Sequence, residues 1–554
     1  MTASARAPLR GNFWSIVTFA ALAVFVLLLI YPLARLLISS MTGEDGGSEM
    51  LVKTYVEFFT RKYYYETLLH SLAVSAIVTV LATLLGAPLA YFVTRFDIPG
   101  KLFLRALIVL TFVSPPFIGA YAWILLLGRN GVITGWLANL GVKLPSIYGV
   151  GGIVLVFTLQ ALPFVFLLVS AGLRTVDQSI EDAAVNLGRR PAAVALSVIA
   201  PLIVPSLATG ALLVFVTSLS DFGTPMIIGE NFRMFASQIY TEFVNEHGGN
   251  PARASALSLI LLAITVGALL WQRSWVRRRS FGQETVRPLA PRVLSRRARA
   301  GATVYVYAVV LAASLPLVTI VISSFLKGKG PLITGELTLS GYTDAIRLPA
   351  ALYNTVMLST VSTVICVAAG ALVGYVVARR RDRVAGALDA FSMVPYAVAG
   401  VVMGIAIAVA FGGAPFYLGG TAAILVIVYF IRRLPYSIRS VAGMLGQIGS
   451  QAEEASINLG VPPGRTFLRV TVPMVTPALV SGALLTFATI AREFNSTVIL
   501  YSGATRTLPV EVFAQVLQGD FATASVVGTV LIAVSLVPIV ILFRFLQKDE
   551  GMLV

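Results

Sequence analysis

The chain alternates long apolar runs with short polar connectors, and the runs predict twelve helical segments. The first six fall near 13–38, 67–94, 102–128, 148–173, 197–220 and 254–272. The second six fall near 302–325, 351–378, 385–411, 420–438, 469–491 and 522–546. Most match or exceed the roughly 20 apolar residues with which an α-helix crosses a hydrocarbon core of about 30 Å. Several contain Gly and Pro, which helices in lipid tolerate better than helices in water. The expected fold is all-α: a polytopic membrane protein of about twelve transmembrane helices.

Composition agrees with that reading. Of 554 residues, 57% are hydrophobic and 12% are charged, against about 25% charged in an ordinary soluble domain. The net charge of +16 would suit a nucleic-acid partner if it were gathered on one surface. Instead the basic residues occupy connectors between apolar runs, as topology determinants do. The expected surroundings are a lipid bilayer, with no nucleic acid. Arg6 and Arg10 precede the first run, which is longer than a signal-peptide core and lacks a small-residue cleavage site, so it reads as a retained helix. Cys366 is the only cysteine, which excludes an intrachain disulfide.

The Lys/Arg bias orients the spans. The N-terminal segment, Arg95–Arg105, Arg174–Arg190, Arg273–Arg299, Arg379–Arg383 and Arg465–Arg469 all fall on one side. The stretch Arg273–Arg299 holds nine Arg and one acid, Glu284. Loops such as Glu44–Glu66 and Asp221–Arg253 are acidic or nearly neutral and fall on the other. Both termini are then cytoplasmic, with Arg544 and Lys548 at the inner end of the last span.

An internal repeat organises the chain. Glu181-Asp182-Ala183-Ala184-Val185-Asn186-Leu187-Gly188 returns as Glu453-Glu454-Ala455-Ser456-Ile457-Asn458-Leu459-Gly460, an offset of 272 residues. The same offset relates Leu162-Pro163 to Leu434-Pro435, Pro201 to Pro473, Pro205 to Pro477, and Asp221-Phe222 to Glu493-Phe494. Gly86 and Tyr91 echo Gly370 and Tyr375 after a change of loop length. We expect two parallel six-span repeats, 1–272 and 301–554, joined by a basic cytoplasmic linker at 273–300. Such halves are related by a pseudo-two-fold axis along the membrane normal, with substrate passing between them.

The most regular block of the repeat lies between the fourth and fifth spans of each half, on the basic side. It reads as a short amphipathic helix that begins with acids, which suit a helix N-terminus. Small Ala or Ser residues permit close approach, and Gly188 or Gly460 ends it where a Cβ is unwelcome. A single copy would pass as an ordinary connector. Two copies at a fixed offset read as docking knobs for a two-fold symmetric partner.

The acid-Ala-Ala, three residues, Gly, and Pro about a dozen residues on resembles the signature of permease subunits of bacterial ABC importers. Here it is Asp182-Ala183-Ala184 with Gly188 and Pro201, and Glu454-Ala455-Ser456 with Gly460 and Pro473. The copies depart by Asp for Glu and by Ser for the second Ala, and both keep the small-residue character. The resemblance spans both halves and implies the type I importer permease fold in a bacterial inner membrane. It implies that Glu181, Asp182, Ala183, Ala184 and Gly188, with Glu453, Glu454, Ala455, Ser456 and Gly460, form loops that couple to two cytoplasmic ATPase subunits. It further implies a periplasmic substrate-binding protein. The chain has no Gly-x4-Gly-Lys-Ser/Thr loop, so ATP hydrolysis falls to a separate subunit. No enzyme activity, catalytic residue or cofactor is expected of this chain.

Two permease units fused in one chain resemble the ferric-iron branch of these importers, and also the thiamine, phosphonate and polyamine branches. Ser220-Asp221-Phe222-Gly223-Thr224-Pro225 is most similar to the iron group, and ferric iron is the expected cargo. Asp221 and Glu493 are repeat-equivalent and would bring two hard oxygen donors to one pathway, unless each caps a helix or pairs locally. Arg432 and Arg433 interrupt an apolar run opposite Gln160 and Ala161. They would favour an anion if they line the path, unless they snorkel to the cytoplasmic surface. His70 and His247 are isolated, and no resident metal site is expected. A twelve-span ion-coupled secondary transporter is the rival from another class. It would carry an embedded acid rather than paired docking helices.

Overall fold

An apolar run in lipid has no water to satisfy its amides and carbonyls, so it must close its hydrogen bonds within a helix. The computed structural model describes residues 12–41, 49–113, 115–244, 249–278, 292, 295–330, 332–345, 347–380 and 382–550. Arg6, Arg10, His247 and most of the basic linker lie outside the described residues. Among the described residues, nine helices are long and apolar enough to cross a membrane, from Phe13–Met41 to Phe521–Ile541. Two bent pairs qualify as one span each, Arg383–Ala397 with Gly400–Phe411 and Pro463–Met474 with Thr476–Ala491. The remaining expected position is Ala422–Gln447, 26 residues long, which carries Arg432, Arg433 and Arg439.

Two expected spans of uniform direction are broken instead. The run at 102–128 divides into Lys101–Val113 and Pro116–Leu127. Pro115 and Pro116 offer no amide to continue the first helix, and proline restricts the residue before it. The run at 385–411 turns through 108° between Ala397 and Gly400, just after Pro395. The fifth spans share a different device. A π-helical turn occupies Ala195–Ile199 in one half and Phe467–Thr471 in the other, at the repeat offset of 272 and just before Pro201 and Pro473. A wider turn there relieves the clash of each proline ring with the preceding turn.

The repeat offset is 284 up to the third spans, as in Gly86 to Gly370, and 272 from the fourth spans onward. The difference is housed between Leu127 and Val150, where the first half carries an extra helix, Val132–Asn139. The second half has its own ornament, an antiparallel hairpin of Leu326–Lys329 and Leu332–Leu337. Helices Pro251–Arg277 and Arg296–Ser323 extend into the expected linker from either side.

The halves interlock through their first helices. Trp14 of the first half stacks on Tyr375 of the second, with ring centroids 4.3 Å apart, and meets Phe467 at 5.4 Å. Reciprocally, Tyr305 donates its hydroxyl to the Leu85 carbonyl at 2.7 Å, and Tyr307 donates to Pro99 at 3.0 Å. Each first span is thus packed beside the other half's second span, and Tyr375 also reaches the second knob through Glu453.

Candidate functional site: two knobs and an axial cluster

Each knob begins where the fourth span of its half ends. Asp177 caps the first, its carboxylate accepting the Ser179 amide at 2.8 Å, and the helix runs over Gln178–Asn186. Gly188 follows with φ +80°. Its amide reaches the Val185 carbonyl at 2.9 Å, and the Arg189 amide reaches Ala184 at 3.2 Å. The second helix, Gln451–Asn458, closes in the same way. Gly460 has φ +84° and bonds Ile457 at 2.9 Å, while Val461 bonds Ser456 at 3.2 Å. A Cβ on either glycine would meet no other atom of the chain within 4 Å. The left-handed backbone, rather than crowding, selects glycine there.

The acids of the motif divide into anchors and local partners. Glu181 is 2% exposed and pairs with Arg95, the last residue of the second span, and with Arg292 of the linker at 3.1 Å. Glu453 is 1% exposed and takes the Nε and Nη2 of Arg379 at 3.2 Å each, with the Tyr375 hydroxyl at 3.2 Å. Arg379 also donates to the carbonyls of Leu445, Ile448 and Gly449 at 3.1–3.3 Å. A carboxylate is held out of water only where charge and hydrogen bonds replace its hydration. These pairs therefore tie each knob to the end of a membrane span. Asp182 accepts from Gln178 at 2.8 Å and Glu454 from Ser450 at 2.6 Å. Ala184 is buried, and Ser456 shares a 3.0 Å bond with Thr466.

What each knob presents outward is Ala183, Asn186, Leu187 and Gly188, or Ala455, Asn458, Leu459 and Gly460. Leu187 and Leu459 are both 85% exposed. Neither the arginine roots nor the leucine tips followed from the motif alone. The signal for the roots was present in the repeat, since Arg95 and Arg379 share the 284-residue offset of Tyr91 and Tyr375.

The four candidates for the pathway are not brought together as one open set. Glu493, 6% exposed, engages Arg432 through one carboxylate oxygen and Arg433 through the other, and accepts from the Ser496 hydroxyl at 2.9 Å. Both arginines lie inside helix Ala422–Gln447 rather than at its ends, and they are 14% and 16% exposed. Asp221, 4% exposed, accepts the Thr224 amide at 3.0 Å and so opens the short helix Gly223–Ile228. Among the described residues it has no ion-pair partner. Where the second half carries Arg432, the first carries Gln160, whose amide donates to the Pro116 carbonyl.

The family model described as binding-protein-dependent transport system inner membrane component matches residues 82–281 and again 367–549. The chain is 27% identical over 545 residues to a ferric transport system permease protein of Actinobacillus pleuropneumoniae, covering 96% of this chain and 78% of that protein. It is 24% identical over 507 residues to an Fe(3+)-transport system permease protein of Haemophilus influenzae, covering 91% and 94%. A molybdenum transport system permease protein of Mycobacterium tuberculosis is 32% identical over 205 residues, covering 37% of this chain and 76% of that protein.

Proposed function

The chain belongs to the inner membrane components of binding-protein-dependent transport systems, and from that premise we propose that it is the fused permease of an ATP-driven ferric iron importer. Residues 1–272 and 301–554 act as the two halves, joined by the linker 273–300. The basic connectors keep both knobs and both termini in the cytoplasm. Each knob seats in one of two cytoplasmic ATPase subunits, and a periplasmic binding protein hands over cargo at the opposite face. Closure of the ATPases pulls on the knobs, and the buried Arg95–Glu181 and Arg379–Glu453 pairs carry that pull into the second spans. ATP is consumed by the partners, since this chain has no phosphate loop of its own.

One observation carries the coupling reading: the same Arg-rooted, Gly-ended helix is built twice, with a leucine exposed at each tip. For the cargo, the support is likeness over nearly the whole chain to two ferric permeases, whereas the likeness to the molybdenum permease covers 37% of it. The arginines lend an anion no further weight, because Glu493 already occupies both.

Reconstitution tests both parts. The chain in vesicles, with its ATPase and binding protein, is expected to accumulate labelled Fe³⁺ only when ATP is supplied. Uptake driven by an ion gradient in vesicles lacking the ATPase would refute the coupling reading. Accumulation of molybdate, thiamine or a phosphonate in preference to iron would refute the cargo.

A further inference from the structure

Phe222 and Phe494 are equivalent by the repeat, at the offset of 272 that relates Asp221 to Glu493. Their rings are also in contact, with centroids 5.2 Å apart and planes inclined by 25°. A side chain that touches its own symmetry mate must do so at the symmetry axis, as at any two-fold interface. The pair therefore marks where the pseudo-two-fold axis passes between the halves, and that axis is the path of a parallel-repeat transporter.

Further rings close the same point. Tyr240 stacks on Phe222 at 4.7 Å and Phe513 packs on Phe494 at 4.7 Å. Phe117 meets Phe494 at 4.4 Å and Phe513 at 5.9 Å. Phe222, Phe494, Phe117 and Phe513 are each at most 4% exposed. Gly223 lets the seal close, since a Cβ there would sit 2.8 Å from the Phe494 ring.

Each axial phenylalanine also stands at a break in the chain. Helix Ala200–Ser220 ends just before Asp221-Phe222, and Gly223–Ile228 begins just after. Thr476–Ala491 ends just before the turn that holds Phe494, and Thr497–Leu500 follows. Backbone at such breaks absorbs hinge motion with small changes elsewhere.

We infer that Phe222 and Phe494 are the gate of the translocation path: a dry aromatic contact on the axis, backed by Tyr240, Phe513 and Phe117, that cargo must part. Apolar constrictions of this kind hold back water and ions without any charged barrier. The inference rests on the permease reading above and holds for any cargo.

Cross-linking tests it in the assembled complex. Cys366 is the only native cysteine and is buried, so the single-cysteine parent serves as background. In the double variant Phe222→Cys/Phe494→Cys, a short bifunctional thiol reagent is expected to join the two positions in the nucleotide-free complex. After trapping with ATP, vanadate and the binding protein, that cross-link is expected to be lost. Equal cross-linking in the two states would overturn the gate. A second variant, Phe222→Ala/Phe494→Ala, is expected to let preloaded Fe³⁺ escape from vesicles without ATP while still retaining its ATPase. Vesicles of that variant as tight as the parent's would also overturn the gate. ATP-driven uptake by the parent is measured alongside, so failure of the permease reading shows as a silent parent and failure of the gate as an active one.

Discussion

Replacing Arg379 by Ala removes the root of the second knob and leaves Glu453 behind. Glu453 is 1% exposed and Arg379 is 12% exposed on the side chain, so solvent does little to soften the loss. The guanidinium supplies two bonds to the carboxylate and three to carbonyls at the end of the fourth span. Removing one member of a buried pair costs about 3–5 kcal/mol. The membrane spans do not depend on this pair, so the cost falls on the attachment of helix Gln451–Asn458 and the knob detaches rather than the chain unfolding. At about 1.4 kcal/mol per factor of ten, the detached population rises by at least about a hundredfold. The expected result is ATP hydrolysis largely kept and iron uptake largely lost, with faster amide exchange confined to that helix. Arg379→Lys restores the charge without the paired geometry and recovers uptake in part. Arg95→Ala is milder, because Arg292 still lies 3.1 Å from Glu181. Normal uptake by Arg379→Ala, with unchanged exchange in the knob, would refute the claim that these pairs transmit the stroke.

Three further outcomes follow from the same geometry. Gly188→Val/Gly460→Val forces a branched residue into left-handed backbone at about 1–2 kcal/mol each, and is expected to uncouple hydrolysis from uptake while leaving the thermal midpoint of the spans in place. Leu187→Asp/Leu459→Asp changes two residues that are 85% exposed; stability measured by thermal melting should move by less than about 0.5 kcal/mol per site, while co-purification of the ATPase is lost. Glu493→Gln leaves Arg432 and Arg433 short of a buried counter-charge and should destabilise by about 3–5 kcal/mol, whereas Asp221→Asn keeps an acceptor for the Thr224 amide and should stay within about 1 kcal/mol. Equal melting shifts for those two variants would contradict the different partners of Asp221 and Glu493.

Hydropathy made the spans legible because length and apolarity are properties of a continuous stretch. It gave no direction of travel, and so the break at Pro115–Pro116 and the 108° turn after Ala397 lay hidden inside runs that stay apolar throughout. Helix Ala422–Gln447 outlasts the expected 420–438 because its later polar residues have partners: Arg439 reaches Asp389 at 2.7 Å and Ser440 reaches the Ala478 carbonyl at 2.6 Å. Gly188 and Gly460 announced the knob ends, since a left-handed residue is a local requirement. The roots were not local. Arg95 and Glu181 are 86 residues apart and Arg379 and Glu453 are 74 apart, and no spacing rule joins charges over such distances. Arg432 and Arg433 were open to two readings for the same reason, because the residue they pair with, Glu493, comes 60 residues on, past the end of the next span.

The two copies keep the same knob tips. In most proteins the buried side of a helix is kept and its exposed side drifts, because packing constrains and water does not. Here the tips of the knobs are the same in both copies, Asn186-Leu187-Gly188 and Asn458-Leu459-Gly460, as are the outward Ala183 and Ala455, while the exposed Ser179 at the foot of the first knob is Gln451 in the second. Other changes fall on half-buried or buried positions: Asp182 to Glu454, Ala184 to Ser456, Val185 to Ile457. The roots have also been rebuilt, with a linker arginine on Glu181 where Glu453 has a tyrosine hydroxyl and its arginine has three carbonyls. At the repeat offset, Gln160 and Ala161 take the places of Arg432 and Arg433. A fused chain builds each half once, so its interior is free to become asymmetric wherever nothing symmetric touches it. The shared tips, Asn186-Leu187-Gly188 and Asn458-Leu459-Gly460, present one exposed surface twice.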